Sequence, residues 1–196
     1  MPNVYDFDET IVYPNGGVAF VRFVMKRYPR LKRYYPRMGR EGVRHKICRK
    51  SGKPFKAEFY LFLKSLPNWE NEVRLFWELH ARQMLRPWYL AQKRPDDIIV
   101  SDSADFLLRP LCGQLGVRLV ATRVNTATGR LIGPDCHGPE KVRRLREEFG
   151  NVEVEEFYSD SLLDAPLAKL AKRAFLVNMD ERLPWPEENL QAKNIP

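Results

Sequence analysis

The chain runs to 196 residues, 44% apolar and 30% charged, with a formal net charge of +8, which suits one soluble α/β core carrying a modest insert. No run approaches the ~18 apolar residues of a membrane span, and Cys48, Cys112 and Cys136 are scattered with no C-x-x-C pair, so neither a disulfide framework nor a zinc site is indicated. Candidate chemistry begins at Asp6, too early for a signal peptide of ~15 to 30 residues to precede it, so free thiols and a cytoplasmic location are expected.

Val4-Tyr5 reads as a first short strand, and Asp6-Phe7-Asp8-Glu9-Thr10 follows it directly. Residues two apart in an extended segment project to the same side, so Asp6 and Asp8 share one site as the strand gives way to loop. Two acids held that close repel unless a proton or a cation lies between them, which points to a divalent metal with oxygen ligands. An ordinary Asp-rich turn is the plain alternative, and for this motif alone the two readings weigh equally. Pro14-Asn15-Gly16-Gly17 is a turn signal. From Val18 to about Arg94 the apolar residues recur at helical spacing, as in Phe20, Phe23 and Val24 or Val73, Phe76 and Trp77, and prolines at 29, 36, 54, 67 and 87 divide the stretch into short helices.

Ile98-Ile99-Val100 has the fully apolar character of a buried strand and ends on Ser101-Asp102-Ser103. A helix through Leu107, Leu111 and Leu115 leads to a strand over 117–124, and Asn125 to Gly129 reads as a hairpin turn before Arg130 to Gly133. The spacing of Val142, Leu145 and Phe149 predicts a helix over 139–149 with Lys141 in its first turn. The helix dipole disfavours a cation there, so that lysine is better explained by an anion it must reach. A strand over 152–158 stops at Ser159-Asp160, with Asp164 four residues on, and a helix over 163–172 and a strand over 174–178 follow. The Pro-rich tail from Leu183 carries no readable chemistry, and Trp185 is expected to pack back on the core. The alternation of strands and helices implies a parallel sheet. Asp6, Ser101 and Asp160 all fall at carboxyl ends of its strands, where such sheets bind ligands.

The order D-x-D-x-T, apolar strand to Ser, helix-borne Lys, and strand to D-x-x-x-D resembles the haloacid dehalogenase superfamily of phosphohydrolases, over Asn3 to about Asn178. The insert after Thr10, the V-S-x-S-x-x-F-L run and G-x-E-K-V-x-x-L are most similar to its phosphoserine-phosphatase-like branch. That resemblance implies a Rossmann-like parallel sheet flanked by helices, built from 1–14 and 95–196, with a small all-helical cap over 15–94. It implies Asp6 as nucleophile and Asp8 as general acid and base. Magnesium would be held by Asp6, the Asp8 carbonyl and Asp160, with Asp164 supporting through water or by orienting Lys141. Ser101 and Lys141, with backbone amides near Phe7, Asp8 and Asp102, would bind the phosphoryl group, and Thr10 would fix the motif loop. The implied activity is hydrolysis of a small or lipid-linked phosphate monoester through an aspartyl phosphate. Glu9 departs from the Gly, Ser or Lys common in relatives, and Ser159 from a common Gly; neither change removes a catalytic group. Asn15 stands where phosphoserine phosphatases carry a glutamate for the substrate amine, so a leaving group without an amine is expected.

Each of these residues has a plainer reading. Ser101 could cap the helix beginning near Asp102 to Asp105, Lys141 could be solvated, and Asp160 and Asp164 could be an N-cap and a first-turn acid. Between Arg22 and Lys56 there are fourteen Lys or Arg and one acid, Glu41. Tyr28, Tyr34 and Tyr35 interleave with Arg27, Arg30, Arg33 and Arg37, a combination that suits nucleic acid or anionic lipid headgroups, although solvated helix faces account for it equally well. Among these, Arg22, Arg40, Arg44 or Arg49 is a candidate second contact to an anionic substrate, while His137 reads as a local hydrogen-bonding residue. A polyanion-binding protein on the same fold and a phosphotransferase are the alternatives to hydrolysis. The intact carboxylate and lysine set argues against nucleic acid as partner and leaves peripheral membrane contact open.

Overall fold

The computed structural model describes residues 1–39 and 59–191. Five parallel strands and one antiparallel edge strand form a six-stranded sheet. In chain order they are β1 (Val4–Tyr5), β2 (Ile98–Ala104), β3 (Arg118–Thr122), then β6 (Val154–Ser159), β7 (Ala171–Asn178) and β8 (Glu181–Pro184), while β4 (Val124–Asn125) and β5 (Arg130–Leu131) form a separate hairpin. The spatial order β3-β2-β1-β6-β7-β8 puts β1 at the point where the chain switches direction across the sheet, the place where open α/β sheets bind ligands. Val4 pairs with Ile98 on one side and Phe157 on the other. All three are fully buried, as expected of strands covered on both faces. The fully buried Asp97 carboxylate fixes the strand starts by accepting from the Asn3 amide at 2.9 Å and the Arg94 amide at 2.7 Å.

The insert is helical: α1 (Gly16–Arg27), α2 (Trp69–Met84) and α3 (Pro87–Gln92), with 3-10 turns at Pro29–Tyr34 and Leu61–Ser65. Asn15 starts α1 by accepting from the Val18 amide at 3.0 Å, a side-chain N-cap. Among the described residues the helices pack into the same core as the sheet. Phe20 and Phe76 of the insert share one apolar cluster with Tyr5, Phe7 and Leu107 of the sheet layer, and the Trp77 indole donates to the Leu107 carbonyl at 2.7 Å. The β4–β5 hairpin presses on the insert from the other side. Gly129, at φ +68°, turns the chain there, and a Cβ on it would lie 2.3 Å from the Tyr60 carbonyl oxygen. Among the described residues no helix is long and apolar enough to cross a membrane.

Several expected boundaries shift. β2 continues past Val100 to Ala104, and α4 (Asp105–Leu115) begins with Ala104 in the N-cap position, so Ser101 lies inside a strand and caps nothing. The strand expected over 117–124 ends at Thr122, and Val124 pairs with Leu131 instead. Helix α5 (Pro139–Phe149) matches its expected range, with Pro139 at its start, where the lost amide has no helical partner to lose. The helix expected over 163–172 is reduced to a 3-10 turn, Leu162–Asp164, and α6 (Ala165–Ala168), and β7 begins at Ala171, three residues early. β8 was not anticipated. Trp185 is buried against Phe157, ring centroids 5.8 Å apart, and α7 (Glu187–Gln191) closes the described chain.

Candidate active site

Three parallel strands deliver the chemistry. β1 leads directly into Asp6, whose amide donates to the Tyr158 carbonyl at 2.8 Å, so the β1–β6 pairing fixes the position of that residue. β6 ends at Ser159, placing Asp160 beside the first loop. There Thr10 Oγ1 accepts from the Asp160 amide at 2.9 Å and donates to its Oδ1 at 3.2 Å. Glu9 sits between, at φ +61°, a left-handed conformation that is costly for a residue with a side chain.

Lys141, on the first turn of α5, is 3% exposed and sends its Nζ to Asp6 Oδ1 at 2.6 Å and to Asp164 Oδ2 at 2.7 Å. It is therefore no solvated surface lysine. Asp164 Oδ2 also accepts from Ser159 Oγ at 2.8 Å, and the Ser161 amide donates to Ser159 Oγ at 3.1 Å. Asp164 is thus occupied in holding the lysine. Ser161, not Asp160, caps the 3-10 turn, while Asp164 is a first-turn acid there and occupies the N-cap position of α6 without a side-chain capping bond.

The Asp8 carboxylate is held by both oxygens. Gly16, the first residue of α1, donates its amide to Oδ1 at 2.5 Å, and Ser103 Oγ donates to Oδ2. Ser103 reaches it where β2 is irregular: Ser101 pairs with Ala121 and Ala104 with Thr122, so the register against β3 shifts across Asp102 and Ser103. Such bulges re-aim side chains. This one is pinned by Thr122 Oγ1 donating to the Asp102 carbonyl at 2.7 Å and by Ser101 Oγ accepting from the Ser103 amide at 3.0 Å.

These groups line a cavity of about 180 Å³ that includes Asp6, Asp8, Glu9, Asp102, Asp160, Asp164, Lys141, Asn15 and His137. Thr10 and Ser101 are fully buried and lie outside its lining. Burial holds the Asp6 carboxyl well above the usual carboxylate range; Lys141 opposes that shift, and the charges of Asp164, Asp160 and Asp102 add to it. Partial burial also raises Asp160, outweighing the hydrogen bonds that favour its charge. Burial works against the Lys141 charge, yet Asp6 and Asp164 together raise its pKa well above the ordinary lysine value.

The candidate anion contacts of the insert lie elsewhere. Arg22 lines a separate cavity of about 930 Å³ between α1 and α2. Arg27 and Tyr28 are both bound to Glu72, at 2.8 Å each, and Arg33 and Tyr34 to Ser65 at 2.8 and 2.9 Å. Arg40, Arg44, Arg49 and Cys48 fall outside the described residues. Cys112 and Cys136 are free and buried. Sequence reasoning gave Ser103 no role. The signal available was its spacing two residues after Ser101 at a strand end, the same arrangement that singled out Asp6 and Asp8.

Comparison with known proteins agrees with this geometry. A family model described as haloacid dehalogenase-like hydrolase matches residues 4–169. Protein CicA of Caulobacter vibrioides is 30% identical over 182 residues, 85% of this chain and 81% of its own. Among solved structures, a protein of unknown function from Bordetella pertussis Tohama I superposes with a TM-score of 0.69 at 17% identity, covering 96% of this chain and 92% of its own. A phosphoserine phosphohydrolase-like protein from Francisella tularensis does so with a TM-score of 0.55 at 14% identity, covering 90% and 87%.

Proposed function

The chain belongs to the haloacid dehalogenase-like hydrolase family, and from that premise we propose that it is a magnesium-dependent phosphomonoesterase working through an aspartyl phosphate on Asp6. The observation that carries this reading is the buried Lys141 ammonium at 2.6 Å from Asp6 and 2.7 Å from Asp164. A lysine buried between carboxylates at the mouth of a parallel sheet is poised to meet the equatorial oxygens of a phosphoryl group in flight, where charge develops.

In the first step an Asp6 carboxylate oxygen attacks phosphorus, the bond from phosphorus to the ester oxygen breaks, and the leaving alkoxide takes the proton carried by Asp8. In the second, a water oxygen attacks the phosphorus of the aspartyl phosphate, its proton passes to the Asp8 carboxylate, and the bond to Asp6 breaks to release inorganic phosphate. A carboxylate nucleophile divides one difficult displacement into two easier ones. Asp164, already engaged with Ser159 and Lys141, serves by orienting the lysine rather than by binding metal.

Whether the site suits magnesium turns on its charge. Six carboxylates line the cavity, from Asp6, Asp8, Glu9, Asp102, Asp160 and Asp164, against the one ammonium of Lys141 among the described lining residues. A phosphate dianion would be repelled from such a site. Among the described residues no three His, Cys, Asp or Glu side chains are arranged for a metal ion. The proposed set of Asp6, Asp160 and the Asp8 carbonyl needs only two carboxylates and suits a small hard cation that keeps several waters. Magnesium, when bound, supplies the positive charge that lets a dianion enter.

A cavity of about 180 Å³ is smaller than the ~300 to 1,000 Å³ of sites for drug-sized ligands, which favours a small phosphate ester, or the headgroup alone of a lipid-linked one. The buried free thiols of Cys112 and Cys136 are in keeping with a reducing, cytoplasmic setting. The test is hydrolysis of an aryl phosphate with and without Mg²⁺, in the native chain and in Asp6→Asn. Metal-dependent turnover lost in the variant is expected, and turnover that persists there would refute Asp6 as nucleophile. Supplying an alcohol as competing acceptor separates hydrolysis from phosphoryl transfer.

A further inference from the structure

The phosphatase reading gives Asp8 a proton to donate and then to receive, and the structure leaves neither of its carboxylate oxygens unattended. Oδ1 accepts from the Gly16 amide at 2.5 Å, and Oδ2 accepts from Ser103 Oγ. Ser103 is 3% exposed, and Asp8 is 8% exposed. Nothing about the hydroxyl's location is accidental. It stands on the β2 irregularity after Ser101, with its own amide bonded to Ser101 Oγ at 3.0 Å, the neighbouring Asp102 carbonyl held by Thr122 Oγ1 at 2.7 Å, and Thr122 Oγ1 in turn accepting from the Cys136 amide at 2.9 Å. A regular strand would carry residues 102 and 103 on in register with β3; the bulge shifts that register and presents a serine hydroxyl to the proposed acid.

We propose that Ser103 is the positioning residue of the Asp8 general acid: the hydroxyl presented by the β2 bulge, together with the first amide of α1, fixes the carboxylate in the orientation from which it reaches the leaving-group oxygen. The inference rests on the phosphatase reading and extends it by one residue. Ser103 acts through Asp8 and lies outside the lining of the cavity. A freed Asp8 side chain rotates about two torsions, and misplacing a proton donor by about 1 Å costs as much as ~100-fold in rate. The loss falls on leaving groups that need a proton and spares those that depart as stable anions.

The experiment measures kcat/KM, which reports transfer to Asp6, for native chain, Ser103→Ala and Ser103→Thr on a series from nitrophenyl phosphate through phenyl phosphate to an alkyl phosphate. Ser103→Ala is expected to lose roughly 10- to 100-fold on the alkyl ester and no more than about threefold on the nitrophenyl ester. Ser103→Thr, which keeps the hydroxyl, is expected to recover most of the loss. In an Asp8→Asn background, Ser103→Ala should have almost no further effect, since both changes strike one function. An equal loss across the series, or a full additional loss on top of Asp8→Asn, overturns the proposal and leaves Ser103 a packing residue. Circular dichroism and the melting temperature of each variant separate misfolding from misplacement. If the Thr variant does not fold, the double-mutant comparison decides alone. A native chain without turnover, or an Asp6→Asn chain that retains it, removes the phosphatase reading and this proposal with it.

Discussion

Replacing Lys141 by Met removes a charge and leaves an apolar chain of similar length, so it asks what the ammonium contributes beyond packing. Its contacts at 2.6 Å to Asp6 and 2.7 Å to Asp164 are each worth about 6 kcal/mol of Coulomb attraction at an effective dielectric constant of about 20. Most of that is offset by the several kcal/mol lost in stripping water from each buried ion. The variant keeps the other half of the pair. Asp6 and Asp164 remain buried with Asp160 nearby and no cation between them, and removing one partner of a buried pair costs about 3 to 5 kcal/mol. Denaturant unfolding of the metal-free chain at pH 8 should show a deficit of that size. The sign of its pH dependence is fixed. Burial already raises the Asp6 carboxyl, and loss of the lysine removes the main influence holding it down. The variant's carboxylates therefore take up protons earlier as the pH falls, and the deficit should shrink between pH 8 and pH 5. Turnover should fall by ~100- to 1,000-fold, as for loss of a group that stabilises developing charge. A deficit below about 1 kcal/mol, or one of equal size at both pH values, would refute the claim that the ammonium compensates these acids.

Gly129→Ala should destabilise the chain by about 2 to 4 kcal/mol, from a left-handed backbone and from overpacking where a Cβ would lie 2.3 Å from the Tyr60 carbonyl oxygen; a melting temperature unchanged from the native chain would show that the hairpin yields instead. Burial pushes the Cys112 and Cys136 thiols up to about 12, so in a Cys48→Ser chain no thiol should react with Ellman's reagent at pH 8 until denaturant is added. Rapid labelling of one equivalent in the folded chain would contradict that burial. Hydrogen bonding from Arg143 leads the causes that bring Glu140 down to about 2 from an ordinary 4.5, with burial opposing and Arg144 assisting. A depressed carboxyl stabilises above its unfolded value and loses that contribution as the pH falls toward the folded one. Glu140→Gln should therefore lower the melting temperature at pH 7 and match the native chain as the pH approaches 2, and a gap that widens on acidification would overturn the assignment.

The elements legible in the sequence were those whose signal is local. Helix α5 could be read to the residue because Gly138-Pro139 starts it, Val142, Leu145 and Phe149 give its period, and Gly150 ends it. The parallel core could be read because strand-like runs leading to Asp6, Ser101 and Asp160 alternate with stretches of helical spacing. Where the reading missed, the deciding contact lay far along the chain. β2 outruns its apolar stretch because Ser101 pairs with Ala121 and Ala104 with Thr122, a register that no local pattern encodes. The helix placed over 163–172 gives way once β7, entering at Ala171, pairs with Val154 of β6. β8 depends on a reversal at Met179, φ +54°, which a methionine does not advertise.

The same division runs through the site. Asp6, Asp8, Lys141 and Asp160 could be named because each breaks a local expectation: paired acids at a strand end, a cation at a helix N-terminus, an acid where a strand stops. Their partners were harder to name because a hydroxyl breaks no rule. Ser103 and Ser159 look like ordinary loop serines until Asp8 and Asp164, 95 and 5 residues away, come within hydrogen-bonding reach. The insert is a related case. Its basic composition suggested a surface for anions, of which Arg27 is ion-paired with Glu72 and Arg33 donates to Ser65. Its apolar faces, which drew less notice, join Phe20 and Trp77 to the sheet's own core. Swinging the whole insert aside would return those rings to water at ~1.5 to 3 kcal/mol each. Small adjustments near Asp8 and the start of α1, where a 2.5 Å hydrogen bond links the proposed acid to the insert, are a far less costly way to admit a small ester.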